Sequence, residues 1–185
     1  MENISGGSQL LNATFVLRKA RITEGAHVAE FGCGGGGHFV FPASTMVGPR
    51  GKVFAIDIQQ AVLQKITAHA REQNMVNIVP VWSDLEVFRG AKDIADNTVD
   101  VGLLLNTLFQ AKNREAMMRE SARMVKRGGH LLVVEWKLSV APFGPAPRLR
   151  IGQDAVRSLA RAVYLDENES FEAGPYHYGI LFKKI

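Results

Sequence analysis

VAEFGCGGGGHF, residues 28–39, is a short apolar run that breaks into five glycines among six positions. Such a turn between a strand and a helix lets a ligand approach the backbone with no Cβ atoms in the way. In a doubly wound α/β sheet the turn lies at the carboxyl edge, where ligands bind at the switch in strand order. Two spacings fit the same letters. Gly32, Gly34 and Gly37 satisfy GxGxxG, while Glu30, Gly32, Gly34 and Gly36 satisfy (D/E)xGxGxG. The motif alone does not choose between them.

Its surroundings do. Glu30 stands two residues before the first glycine, at the strand end. A carboxylate there repels the pyrophosphate of a dinucleotide and attracts an ammonium group, which it can hold by a charge-assisted hydrogen bond. Asp57 ends the next strand, VFAIDI (53–58), where a carboxylate can accept both hydroxyls of a ribose. After the third strand comes SDLE (83–86). There Asp84 can accept from an exocyclic adenine amine, and Leu85 can offer its amide to a ring nitrogen. An amine end, a ribose and an adenine on three successive strand ends describe S-adenosylmethionine better than NAD.

Outward from the glycines, periodicity divides the chain into alternating elements. A helix is expected over residues 8–20 with Ser8 as N-cap, then a strand at 27–31 and an apolar helix over about 38–47. Pro42 sits deep in that last helix and should kink it or shorten its first turn. A strand at 53–58, an amphipathic helix at 61–73 and strands at 78–82 and 99–105 follow. REAMMRESARMVKRGG (114–129) reads as a helix closed by glycine, and HLLVVEW (130–136) as the fifth strand. Apolar, non-alternating strands between helices indicate a parallel sheet covered on both faces. The tail departs from this rhythm. After a proline-rich loop (137–150) and a helix (153–165), ESFEA and YHYGILFKKI lie too close for a parallel crossover, so an antiparallel hairpin is expected. The whole chain, 1–185, is read as one domain: an N-terminal segment (1–20) and a core (21–185).

Composition sets few further limits. The 185 residues are 46% hydrophobic and 22% charged with a net charge of +4, ordinary for a globular domain. Lysine and arginine are dispersed, so nothing resembles a nucleic-acid arm. Cys33 is the only cysteine, which excludes an intramolecular disulfide and a cysteine zinc cage; no metal site is expected. No signal-like N-terminus and no long apolar run is seen, so the expectation is a cytoplasmic protein without a membrane anchor.

Five blocks in order now carry a specific resemblance: VAEFGCGGG (28–36), VFAIDI (53–58), VWSDLE (81–86), DNTVDVGLLLNTLFQ (96–110) and RMVKRGGHLLVVEW (123–136), with YGILFKK closing the chain. The sequence resembles the class I S-adenosylmethionine-dependent methyltransferases, in particular small bacterial and archaeal proteins similar to the UbiE-type methyltransferase domain. The resemblance implies a Rossmann-like seven-stranded, mostly parallel sheet with its last strand antiparallel. It also implies that Glu30 and the backbone at Gly32, Gly34 and Gly36 hold the methionine moiety and that Asp57 takes the ribose. Ile58 would pack on the adenine, Asp84 and Leu85 read its edge, and Asn106 close the pocket; Cys33 and Ser83 belong to the same cofactor-binding stretches. RMVKRGG departs from the family, which usually has proline before the paired glycines; this touches turn stiffness, not chemistry.

Other residues are read against plainer roles. Cys33 has no base spaced to activate it and reads as a small packed residue. His38 is as well placed in the cleft as in the core. Phe109 and Trp136 are candidates for the acceptor wall because they follow the fourth and fifth strands, although core packing is the plainer role for Trp136. His177 faces opposite Tyr176 and Tyr178, toward a substrate entrance or as part of a strand-forming aromatic run. SGGSQLLN (5–12) is placed to fold over the cofactor as a lid, with Gln9 or Asn12 reaching its carboxylate. No general base is identified. The acceptor stays open between a small molecule and a macromolecule, nucleic acid included, as does a cleft closed by a second copy of the chain. A non-catalytic S-adenosylmethionine-binding scaffold and an NAD-dependent oxidoreductase remain alternatives; the latter lacks a Tyr-x-x-x-Lys pair.

Overall fold

The computed structural model describes residues 8–139 and 141–185. Seven strands form one sheet: β1 (His27–Phe31), β2 (Lys52–Asp57), β3 (Ile78–Trp82), β4 (Val99–Leu105), β5 (Val125–Trp136), β6 (Leu165–Glu172) and β7 (His177–Lys184). Their order is β3-β2-β1-β4-β5-β7-β6. The chain walks outward from β1 to β3, then returns to lay β4 on the other side of β1, in parallel. Loops after β1 and β4 therefore leave on opposite faces and open a crevice between them.

The expected hairpin is present. β7 inserts antiparallel between β5 and β6, pairing Trp136 with His177 and Glu135 with Tyr178. Alternation along each strand supplies two cores. Ala29, Phe31 and Ile56 pack under α4 (Arg114–Met124) and α5 (Gln153–Arg161), while Val28, Val53 and Ala55 pack under α1 (Ala13–Lys19), α2 (Val40–Val47) and α3 (Gln60–Glu72). Both faces of the sheet are thus covered, which is why its central strands read as unbroken apolar runs.

Four boundaries differ from the periodic reading, each for a local reason. The first helix is split: Ser8–Leu10 is a short turn, and the N-cap of α1 is Asn12, whose Oδ1 accepts the Phe15 N–H at 2.9 Å. A side-chain acceptor near the free N–H groups of a first turn decides where a helix begins. α2 starts at Val40, so Pro42 falls in the first turn, where its missing N–H costs nothing. α4 ends at Met124 rather than running to the glycines; Val125 turns extended and pairs with Val99. The step from Val99 to Val101 is then matched by the longer step from Val125 to His130, absorbed around Gly128 at φ +78. α5 stops at Arg161, and Tyr164 at φ +61 directs the chain into β6. Residues 1–7, including the start of the expected lid, lie outside the described residues. No helix among those described is long and apolar enough to cross a membrane.

Candidate functional site

A cavity of about 740 Å³ opens at the carboxyl ends of β1, β2, β3 and β4. Its lining is the glycine loop with His38, then Asp57–Gln59, Ser83–Glu86 and Leu105–Thr107, with Ser8 and Gln9 at its rim. Sequence-distant stretches meet here because the strand order reverses between β1 and β4.

The glycine loop is shaped by contacts that only glycine permits. Gly32 has φ +76, and a Cβ there would lie 2.7 Å from Thr107 Cγ2, so the β1 and β4 loops close on each other. At Gly34 a Cβ would meet nothing within 4 Å, so its backbone borders open space. The Gly34 N–H donates to Asp57 Oδ2 at 3.1 Å and the Gln59 N–H to Asp57 Oδ1 at 2.9 Å. Asp57 thereby ties loop to loop, and each oxygen keeps a lone pair for a ligand hydroxyl.

Glu30 sits behind the loop rather than on the cavity surface. It is buried on β1 between Ala55 and Leu103, and its Oε2 has no hydrogen-bond partner. Burial, reinforced by the neighbouring Asp57 charge, holds its carboxyl well above the ordinary glutamate range. Burial together with the Glu30 and Asp57 charges also pushes the Cys33 thiol up, which suits a packed residue and not a nucleophile.

Three further polar groups point to something missing. Ser83 Oγ and both Asn106 side-chain atoms are buried without partners, and both residues line the cavity. Buried polar atoms are almost always paired, and these three lie at the cavity. Asp84 lines the same wall, with Oδ1 accepting the Glu86 N–H at 2.8 Å, and Leu85 is buried beside it. Ile58 lines the opposite lip and is 54% exposed, a large apolar side chain free to cover a flat ring.

The candidate acceptor residues do not join this lining. Phe109 turns away, its N–H donating to Glu135 Oε1 at 3.2 Å. Trp136 and His177 are fully buried, their rings 4.2 Å apart, beneath Phe143 and the Arg150 guanidinium. Trp136 thus takes the packing role weighed for it. Asn12 caps α1 through Oδ1, and Gln9 lines the cavity. Residues beyond the expected set also line the cavity: Glu86, Thr107, Gln110 and Lys65. Glu86, the last letter of SDLE, was within reach of the motif; Lys65 and Gln110 were not, because helix and turn phase bring them in. His38 does border the cavity, with Nε2 2.9 Å from the Leu11 carbonyl oxygen, joining the N-terminal segment to the glycine loop.

Comparison with known proteins agrees with this geometry. A family model described as methyltransferase domain matches residues 29–133. The ubiquinone/menaquinone biosynthesis C-methyltransferase UbiE of Hahella chejuensis is 29% identical over 144 residues, covering 76% of this chain and 55% of that protein. This chain spans about half the length of the curated relatives it matches. Among solved structures, an S-adenosylmethionine-dependent methyltransferase from Aquifex aeolicus superposes with a TM-score of 0.86 at 23% identity, over 99% of this chain and 95% of that one. Aeropyrum pernix fibrillarin, solved with natively bound S-adenosyl-L-methionine, gives a TM-score of 0.67 at 17% identity, over 87% and 67% respectively.

Proposed function

We propose, from the premise that this chain belongs to the methyltransferase-domain family, that it moves a methyl group from S-adenosylmethionine to an acceptor entering on the Asn106 side of the cavity. Membership follows from the family match over residues 29–133, more than half of the chain. One observation carries the rest. Ser83 Oγ and the Asn106 amide are buried and partnerless on one cavity whose lining also holds Asp57 and Asp84, and the partnerless Glu30 carboxyl is buried behind the glycine loop. Negative charge on both sides of the glycines favours a cationic ligand over a diphosphate.

In this reading Glu30 and the backbone at Gly32, Gly34 and Gly36 receive the amino acid end. Asp57 accepts the ribose hydroxyls, Ile58 covers the adenine, and Ser83, Asp84 and Leu85 read its edge. Cys33 packs the loop from inside. When bound, the cofactor supplies a methyl group already activated on a sulfonium. The chain then has to align the acceptor with it and keep water out. Asn106 and Gln110, at the end of β4, are the polar groups nearest that task. Of the cavity-lining groups, His38 is engaged with the Leu11 carbonyl and Glu86 with the Lys112 and Asn113 N–H groups. The name of the UbiE relatives supports a carbon acceptor as the first chemistry to test.

The experiment is a titration with S-adenosylmethionine and with NAD, followed by transfer from methyl-labelled cofactor into a cell extract and identification of the labelled product. Micromolar binding of the first and none of the second is expected, with label in a discrete product. NAD binding in its place overturns the reading; cofactor binding without any transfer would make the chain a scaffold.

A further inference from the structure

β4 ends at Leu105 and the chain reverses at once. Asn106 adopts the left-handed conformation at φ +54, and its N–H donates to the Val134 carbonyl at 2.8 Å. The short turn that follows, Leu108–Gln110, has no side-chain cap of its own. Free N–H groups at such a start need an acceptor. It comes from the neighbouring strand: Glu135, fully buried on β5, accepts the Phe109 N–H at 3.2 Å. Two further bonds close the turn, Gln110 Nε2 to the Asn106 carbonyl at 2.8 Å and Arg114 Nε to the Leu108 carbonyl at 3.1 Å. A carboxyl buried this deeply is costly, and its other oxygen, Oε2, has no partner. Nothing in the sheet requires it.

We propose that Glu135 is a positioning residue for the cofactor site: by holding the Phe109 amide it fixes the turn that begins at Asn106, whose unpaired side-chain amide lines the cavity. The inference rests on the reading of Asn106 as a cofactor contact. Glu135 itself does not line the cavity and acts through the turn. Tyr178 of β7, paired with it across the sheet, donates its hydroxyl to the Ile151 carbonyl at 2.7 Å, and the cations Arg114 of α4 and Arg157 of α5 act on that tyrosine. Burial, opposed by the backbone N–H groups, brings the Glu135 carboxyl up to about 7. The ionised form is the better acceptor, so the grip on the turn strengthens as pH rises through neutrality.

The test has a ligand-free arm and a ligand arm. In the free protein, the Phe109 amide resonance should titrate with a midpoint of about 7 and cease to do so in E135Q. An amide that does not titrate, or titrates alike in E135Q, overturns the holding role. In the ligand arm, S-adenosylmethionine affinity is measured for E135Q, E135A, N106A and N106A/E135A. E135A and N106A should each lose about tenfold and the double variant little more, because residues acting on one contact are not additive. E135Q, which keeps one acceptor oxygen, should recover most of the loss. Losses that multiply overturn the route through Asn106. If E135A does not fold, the Phe109 titration in the native protein and in E135Q decides. A native protein that titrates as expected yet binds no S-adenosylmethionine overturns the reading of the site, and the positioning role with it.

Discussion

Asp57 Oδ2 accepts the Gly34 N–H at 3.1 Å, so the carboxylate that ends β2 grips the loop that leaves β1. Its other oxygen takes the Gln59 N–H at 2.9 Å. Loop shape and ligand binding are therefore carried by one side chain. D57N and D57A should lose cofactor affinity by about 10- to 100-fold, the range expected for hydrogen bonds to a charged group. Calorimetric titration measures this, and an unchanged affinity for D57A would remove Asp57 from the site.

Glu30 makes binding pH-dependent. Burial, then the Asp57 charge, holds its carboxyl well above the glutamate range. A bound ammonium favours the ionised form, so binding should release a proton and affinity should rise with pH. Calorimetry in buffers of different ionisation enthalpy counts that proton. E30Q should release none and bind about tenfold more weakly at alkaline pH, and 5′-methylthioadenosine, which lacks the amine, should show no such pH dependence.

Two glycines in one loop should respond differently to alanine. At Gly32 the backbone is left-handed and a Cβ would strike Thr107, so G32A should lose about 1–3 kcal/mol of stability. At Gly36 nothing lies within 4 Å and φ is not positive, so G36A should fold as well as the native chain or slightly better. Its cost should appear in cofactor affinity, where a methyl group occupies ligand space. Thermal unfolding with and without cofactor separates the two. Equal behaviour of the two variants would contradict the assignment.

His177 and Glu135 should pull stability in opposite directions with pH. Burial, then the Arg150 and Lys137 charges, lowers His177 from 6.5 to about 4. Between those values the unfolded chain binds the extra proton, so this contribution rises with pH across that window and is lost as pH falls through it. Glu135 goes from 4.5 to about 7, and there the folded chain holds the extra proton, so its contribution falls as pH rises. H177F should gain stability relative to the native protein near pH 4 and E135Q near pH 8, each by on the order of 1–3 kcal/mol. Denaturant unfolding at the two pH values checks the signs.

The glycine run, Asp57 and the apolar strands are local features, and each was legible because one property sufficed: backbone freedom, charge at a strand end, or burial on both faces; Glu30, read as facing the turn, is instead buried on β1 behind it. The tail hairpin was legible from segment spacing alone. The misplaced boundaries were competitions between near-equal local signals. Asn12 outcompeted Ser8 as a cap, and Val125, within reach of Val99, outweighed a helical pattern that ran on to the glycines.

What the sequence by itself determined is the class of fold and which residue types stand at the first three strand ends, since both are written in short stretches with one dominant physical cause. Only the tertiary structure decided which side chains share the cavity. Trp136 and His177 stand at strand ends as Asp57 does, yet pairing across β5 and β7 puts them in a packed cluster away from it. Lys65 and Gln110 reach the cavity through the phase of a helix and a turn. Glu135 meets the Phe109 amide only because β4 and β5 are neighbours. Contacts between distant segments depend on strand order and register, and those are settled by the packing of the whole sheet rather than by any one stretch of it.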